Sequence, residues 1–182
     1  MLINNVSFFL VLLVILAIAT VSDLRFQKIP NWLTFSAIIL ALSLNTVING
    51  QSGFLFSLKG LAMGTGLLIP FYIMRMMGAG DVKLMGAVGG FLGTKHVFVA
   101  FRMTALAGGV YALVALASKK NLADALKRYW FIIKSFLLTR KLTYVPPSET
   151  EKMFRLRYGV AIATGTIVTV LMRDRLNNFL NF

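Results

Sequence analysis

The stretch LINNVSFFLVLLVILAIATVSD, residues 2–23, decides the fold class of this chain. It carries no charge before Asp23, and its length matches the roughly 20 apolar residues that a helix needs to cross a bilayer. No Lys or Arg precedes the run, whereas Arg25 and Lys28 follow it. The positive-inside rule then places its C-terminal end in the cytoplasm, so we expect a retained first span with the N-terminus outside rather than a cleaved signal peptide.

The remainder of the chain is similarly apolar. Of its 182 residues, 58% are hydrophobic and only 14% are charged, which is too few to cover a water-facing surface. We therefore expect an all-α, polytopic membrane helical bundle with about six transmembrane helices, forming a single membrane-embedded domain over residues 1–182. The further apolar segments that support this prediction are residues 32–48, 58–77, 84–101, 103–117 and 158–172.

Short polar or glycine-rich stretches separate the apolar segments. Residues 22–31 predict a hinge and residues 49–53 an uncharged loop. Pro70 lies inside an apolar segment and predicts a kink, because proline removes one backbone hydrogen bond. With six crossings and the N-terminus outside, Asp23 and Asp81 would both lie on the cytoplasmic side.

A long basic stretch, residues 119–157, accounts for much of the net charge of +13. Within it, residues 121–138 have the spacing of a basic amphipathic helix, which typically lies in the membrane surface. We expect a cytoplasmic loop with anionic lipids as its electrostatic partner, and no nucleic-acid partner. The absence of cysteine excludes disulfides, thiolate metal sites and a cysteine nucleophile.

Asp23 and Asp81 are the candidate catalytic residues. Acidic side chains are scarce, six against 19 Lys and Arg, and a carboxylate at the edge of hydrocarbon is costly to desolvate. Two carboxylates held close together cannot both ionise easily, so one keeps its proton. The ionised group can then activate water while the protonated group hydrogen-bonds a peptide carbonyl, which requires no metal and no cofactor. Since the pair titrates as a unit, the two roles are not assigned.

Both aspartates also have structural interpretations. Asp81 ends the turn GAGD, residues 78–81, and could cap the following helix. Asp23 could simply pair with Arg25 at the interface. Gly78 and Gly80 favour a functional interpretation of the turn, because glycine permits positive φ and close approach of a substrate strand.

The only histidine, His96, limits the other catalytic options. A metal site built on several imidazoles is excluded. A Ser-His dyad would need His96, which we expect in a turn on the membrane face opposite the aspartates. The more economical interpretation is an interfacial polar residue.

The two motifs SDLRFQKIPN, residues 22–31, and GAGDVKLM, residues 78–85, closely resemble those of the type IV prepilin peptidase family of GxGD aspartic proteases. The small form associated with tight-adherence (Flp) pili is the best match, and the resemblance is strongest over about residues 5–117. It implies that Asp23 and Asp81 are the catalytic pair. The segment RYGVAIATG, residues 157–165, is similar to the family's late Pro-Tyr-Gly segment, with arginine where proline is expected.

The resemblance implies an endopeptidase that cleaves the basic leader from type IV or Flp-type prepilins or pseudopilins at the cytoplasmic face of the inner membrane. The pilus-assembly machinery is a further expected partner. Lys83 would support the ionised aspartate or contact substrate, or else extend to the interface as an ordinary lysine. Larger members carry a cysteine-bound zinc domain and methylate the new N-terminus; without cysteine, methyl transfer is not expected here.

Two alternatives stay open at this point. One is a small proton- or cation-coupled transporter, although the chain shows neither the repeated halves nor the paired broken helices typical of transporters. The other is a non-catalytic subunit of a secretion complex, whose aspartates only cap helices.

Overall fold

The computed structural model describes residues 2–74, 76–118 and 158–172. All regular secondary structure in these ranges is helical, which confirms the all-α prediction for the described part of the chain. The predicted basic loop 119–157, with its amphipathic helix over residues 121–138, lies outside the described residues. The helices are α1 (Leu2–Phe26), α2 (Asn31–Ile73), α3 (Ala79–Ser118) and α4 (Tyr158–Leu171).

Three of these helices are long and apolar enough to cross a membrane. Helix α4 has 14 residues, fewer than the roughly 20 that a perpendicular span requires. Large apolar side chains remain exposed on the long helices, among them Ile39 at 62% and Ile73 at 72%, as expected of surfaces that face lipid. The chain is therefore a membrane-spanning protein, while the number of six crossings stays a prediction.

Helix α1 extends further than the sequence predicted. A hinge was expected over residues 22–31, but α1 continues to Phe26, so Asp23 lies within its last turn. The chain leaves the helix at Gln27, whose φ of 52° is uncommon for a residue with a side chain. Pro30 is extended and precedes α2, and the Ser22 hydroxyl donates a hydrogen bond of 2.8 Å to the Lys28 carbonyl. The hinge is thus confined to residues 27–30.

Gly50 interrupts α2 with a φ of 59° and a ψ of −141°. A Cβ on Gly53 would meet the carbonyl oxygen of Asn45, although a straight helix would separate these residues by about 12 Å. The chain therefore folds back near Gly50. The loop expected over residues 49–53 is reduced to one non-helical glycine, and α2 passes through Pro70 without a break in its helical dihedral angles.

Gly93 interrupts α3 in a similar way, with a φ of 76° and a ψ of 175°. A Cβ at this position would overlap the ring of Phe56. The break is confined to this single glycine, so the chain is helical again at His96. The expectation that His96 occupies a turn was wrong.

Small residues allow the second half of α2 to pack closely on the first half of α3. A Cβ on Gly60 would meet the Gly89 carbonyl oxygen, and one on Gly64 would meet that of Met85. The Gly90 carbonyl accepts hydrogen bonds from two buried side chains of α2, Asn45 at 3.1 Å and Ser57 at 2.8 Å. Close backbone approach with polar contacts between helices is the usual basis of helix association in lipid.

The hydrophobic core draws on all four helices. Helix α1 packs against α4 and α2. The largest apolar side chains with almost no exposure are Leu12, Leu16, Leu68, Leu84, Met85, Val88, Val97 and Ile162.

By compactness the chain divides into two units. One comprises residues 1–108 with 157–182, and it contains this core. The other comprises residues 109–156, of which the structure describes 109–118, the end of α3. The predicted single membrane-embedded domain stays a prediction.

Candidate active site

Asp23 is held between the first and last described helices. Its side chain lies in the last turn of α1 and is only 6% exposed. Carboxylate oxygen Oδ2 accepts a hydrogen bond of 2.9 Å from the backbone N–H of Gly159, which lies 136 positions further along the chain. Gly159 is the second residue of α4, and the first four N–H groups of a helix have no acceptor within it. The start of α4 therefore supplies a donor to a buried carboxylate.

Asp81 lies in the first turn of α3 and is half-buried. Its Oδ2 accepts a hydrogen bond of 3.0 Å from the backbone N–H of Gly78, the residue that precedes the helix. An acidic residue in this position commonly binds the N–H of the capping residue. The side chain thus contributes to the helix start, as the structural interpretation expected. A carboxylate has several acceptor sites, so this bond does not occupy the whole group.

The structure brings the two aspartates close enough to interact electrostatically. Asp23 comes from the end of α1 and Asp81 from the start of α3, and each accepts one backbone N–H from a glycine. Two like charges repel strongly where little water screens them, and a single proton held between the two groups removes that repulsion. The arrangement can therefore support acid–base chemistry, and the catalytic roles of both residues stay predictions.

Neither Gly78 nor Gly80 has an unusual backbone angle, and Gly80 allows a close approach between two parts of the chain. Among the described glycines, positive φ occurs at Gly50 and Gly93, so the expectation of positive φ in the turn was wrong. A Cβ on Gly80 would lie 3.0 Å from the Cβ of Ile29. The start of α3 can thus pack directly against the connection between α1 and α2, where the first motif lies.

Lys83 links the second motif to the first. Its Nζ donates a hydrogen bond of 2.9 Å to the side-chain oxygen of Asn31, and it lies 4.8 Å from the centroid of the Phe35 ring. Both contacts are with the first turns of α2. The described contacts of the ammonium group therefore fix the start of α3 relative to α2, while the predicted contact with substrate stays a prediction.

A groove of about 570 Å³ lies beside the first motif. Asp23 and Asp81 do not line it, but Ser22 does, next to Asp23 in the chain, and so does Asn31, which binds Lys83. The groove therefore lies beside the first motif, with both aspartates outside its lining. Its lining residues are Ile18, Ser22, Phe26, Lys28, Ile29, Pro30, Asn31 and Trp32.

Gly159 is the residue of this arrangement that the sequence analysis missed. The sequence of residues 157–165 shows only a similarity to a late segment of a known family, and no local pattern connects Gly159 with Asp23. A helix start that follows a long polar stretch is a weak signal for a carboxylate partner.

A sequence model described as the type IV leader peptidase family matches residues 10–113, more than half of the chain and both motifs. Among curated proteins and among solved structures, none matches the chain. Gly159 lies outside the matched range.

Proposed function

Because the chain belongs to the type IV leader peptidase family, we propose that it is a membrane aspartic endopeptidase in which Asp23 and Asp81 activate water. The observation that carries the proposal is that two carboxylates from different helices lie within electrostatic range of each other, each bound by a backbone N–H. Family membership supports peptidase activity in general. We propose in addition the mechanism, the type of substrate and the membrane face on which the site lies.

In this mechanism the ionised aspartate takes a proton from a water molecule, whose oxygen attacks the carbonyl carbon of the scissile peptide bond. The protonated aspartate hydrogen-bonds the carbonyl oxygen and stabilises the developing negative charge. The carbon–nitrogen bond then breaks as the leaving amine takes up a proton from the pair. The hydrogen bonds from Gly159 and Gly78 hold both carboxyl groups in orientation, so little rearrangement is needed.

We propose substrates of the prepilin type, with a basic leader followed by an apolar helix in the bilayer. Cleavage between these two parts requires a site at the membrane edge. Asp23 lies at the end of an apolar helix and Asp81 at the start of another, which fits that position. The groove lined by Ile18, Phe26 and Trp32 lies beside the first motif, which contains Asp23, and is the surface that we assign to the extended substrate segment.

The two helix breaks support the membrane topology that we propose. Gly50 divides α2 and Gly93 divides α3, so that α1, four half-helices and α4 give six helical segments. If each segment crosses the inner membrane, two crossings separate Asp23 from Asp81, and both lie on the same side. The positive charges after α1 favour the cytoplasmic side.

Separate Asp23→Asn and Asp81→Asn substitutions test the function. Asparagine retains the size of the side chain and an oxygen that accepts the glycine N–H, so both variants should insert and fold normally. Each should lower the rate of leader cleavage by roughly 10²- to 10⁴-fold, the usual contribution of acid–base catalysis. The substrate is a membrane-inserted precursor with a basic leader, a glycine and an apolar helix of about 20 residues, and the product is measured by gel shift. Normal processing by either variant would refute the proposal.

A further inference from the structure

We propose that Gly159 is a positioning residue for Asp23, and that α4 is needed in peptide hydrolysis to hold this carboxyl group. The proposal rests on the proposed function. It starts from the hydrogen bond of 2.9 Å between the Gly159 N–H and Oδ2 of Asp23. Both residues are buried, so the contact is largely shielded from solvent.

The contact requires glycine at position 159. An ideal Cβ there would lie 2.8 Å from Oδ2, 3.0 Å from Cβ and 3.1 Å from Cγ of Asp23. The Asp23 Cβ is fixed by the backbone of α1 and cannot rotate away. Any side chain at position 159 must therefore displace either the carboxyl group or the start of α4.

The hydrogen bond also determines the rotation of the carboxyl group. Its plane is otherwise free to turn about the Cβ–Cγ bond over a broad range. A donor fixed at Oδ2 restricts this rotation, and the partial positive charge at the start of α4 favours the ionised group. Asp23 then presents a constant geometry to Asp81, whose own carboxyl group is held by Gly78.

The competing interpretation is that Asp23 only caps α4. A cap satisfies N–H groups at a helix start and has no need of a second carboxylate. The electrostatic interaction with Asp81 is what a cap does not explain. The two interpretations predict different effects on catalysis, because loss of a cap weakens the fold, whereas loss of a positioning contact slows the chemical step.

Gly159→Ala is the test, with Gly165→Ala as the matched control. Gly165 lies on the same helix, and a Cβ there would be even more crowded, but against the backbone N–H and the hydroxyl of Thr104 rather than against an aspartate. Cleavage rates of the precursor described above are measured against precursor concentration, per amount of folded enzyme, together with thermal unfolding. Gly159→Ala should lower kcat roughly 10- to 100-fold, as expected for a small misplacement of a reacting group, with KM within about twofold. Gly165→Ala should lower the Tm and leave kcat unchanged.

The outcomes separate the two proposals. The first outcome to consider is that the wild type cleaves the precursor and Asp23→Asn does not, so that the proposed function stands. If Gly159→Ala then retains the wild-type kcat, or loses no more kcat than Gly165→Ala does, the positioning role fails. If the wild type does not cleave, or Asp23→Asn cleaves normally, the proposed function fails and the positioning role fails with it.

A spectroscopic measurement covers the case in which Gly159→Ala does not fold. With ¹⁵N-glycine labelling, the amide proton of Gly159 should shift upfield in Asp23→Asn, because a bond to a carboxylate becomes a weaker bond to an amide oxygen. The amide proton of Gly165 should not move. An unchanged Gly159 signal would overturn the proposal.

Discussion

Replacing Lys83 by methionine removes a charged group that joins the two motifs and retains most of the apolar stem. The structure gives its ammonium two contacts, a hydrogen bond of 2.9 Å to Asn31 and a cation–π contact of 4.8 Å to Phe35. A hydrogen bond to a charged group contributes about 1.5–3 kcal/mol when shielded. Asn31 is exposed and Lys83 half-buried, so we reduce this to about 1 kcal/mol for screening. With about 0.5–1 kcal/mol for the cation–π contact, Lys83→Met should cost about 1.5–2 kcal/mol of stability.

A double-mutant cycle checks this value and identifies the partner. Asn31→Ala should cost about 1 kcal/mol, and the double variant about as much as Lys83→Met alone, since the bond can be lost only once. Stability is measured by denaturant unfolding in detergent micelles, and cleavage rates are measured in parallel. Lys83 holds the start of α3 in place, and its described contacts do not involve the reacting atoms. Its replacement should therefore lower kcat less than about tenfold, which corresponds to about 1.4 kcal/mol of activation free energy. A loss of 100-fold or more in Lys83→Met with normal rates in Asn31→Ala would refute this reasoning and place the ammonium on the aspartates or the substrate.

Glycine substitutions test the packing and the helix breaks. Gly60→Ala should destabilise the fold by about 1–3 kcal/mol, because its Cβ would meet a carbonyl oxygen of α3. Gly66→Ala has open space around the new Cβ, so it should be neutral or stabilise the fold by up to about 1 kcal/mol. Unfolding in detergent measures both changes in stability. Gly50→Ala should lower the free energy of unfolding by about 1–2 kcal/mol, because of its positive φ alone. Gly93→Ala should lower it clearly more, since the ring of Phe56 fills the space that the Cβ would need. Equal losses of stability at the two positions would contradict the described packing.

The sequence predicted the helical class and the approximate positions of the apolar segments, but not where the helices end. Residues 22–31 and 49–53 contain polar and glycine residues that would end a helix in water. In hydrocarbon, an unsatisfied backbone group costs several kcal/mol, so helices continue wherever they can. Helix α1 accordingly continues to Phe26, and Gly50 alone interrupts α2. The break falls at glycine rather than at Pro70 because only glycine adopts the required φ at low cost.

The sequence identified the two aspartates but could not predict what holds them. The contact from Gly78 to Asp81 is local, since it joins residues three positions apart. The contact from Gly159 to Asp23 joins positions 136 residues apart, so it depends on how α4 packs against α1. No periodicity of the chain contains this information.

The two contacts follow one physical rule. Asp81 accepts an N–H at the start of α3, and Asp23 accepts one at the start of α4, so each carboxylate lies at the positive end of a helix. Burial in a poorly solvated site disfavours the charged form of a carboxyl group, and a neutral carboxyl group cannot take a proton from water. Backbone donors favour ionisation of the pair, while mutual repulsion opposes ionisation of both members. Together these opposed effects favour one ionised and one protonated carboxyl group, which is the state that the proposed hydrolysis requires.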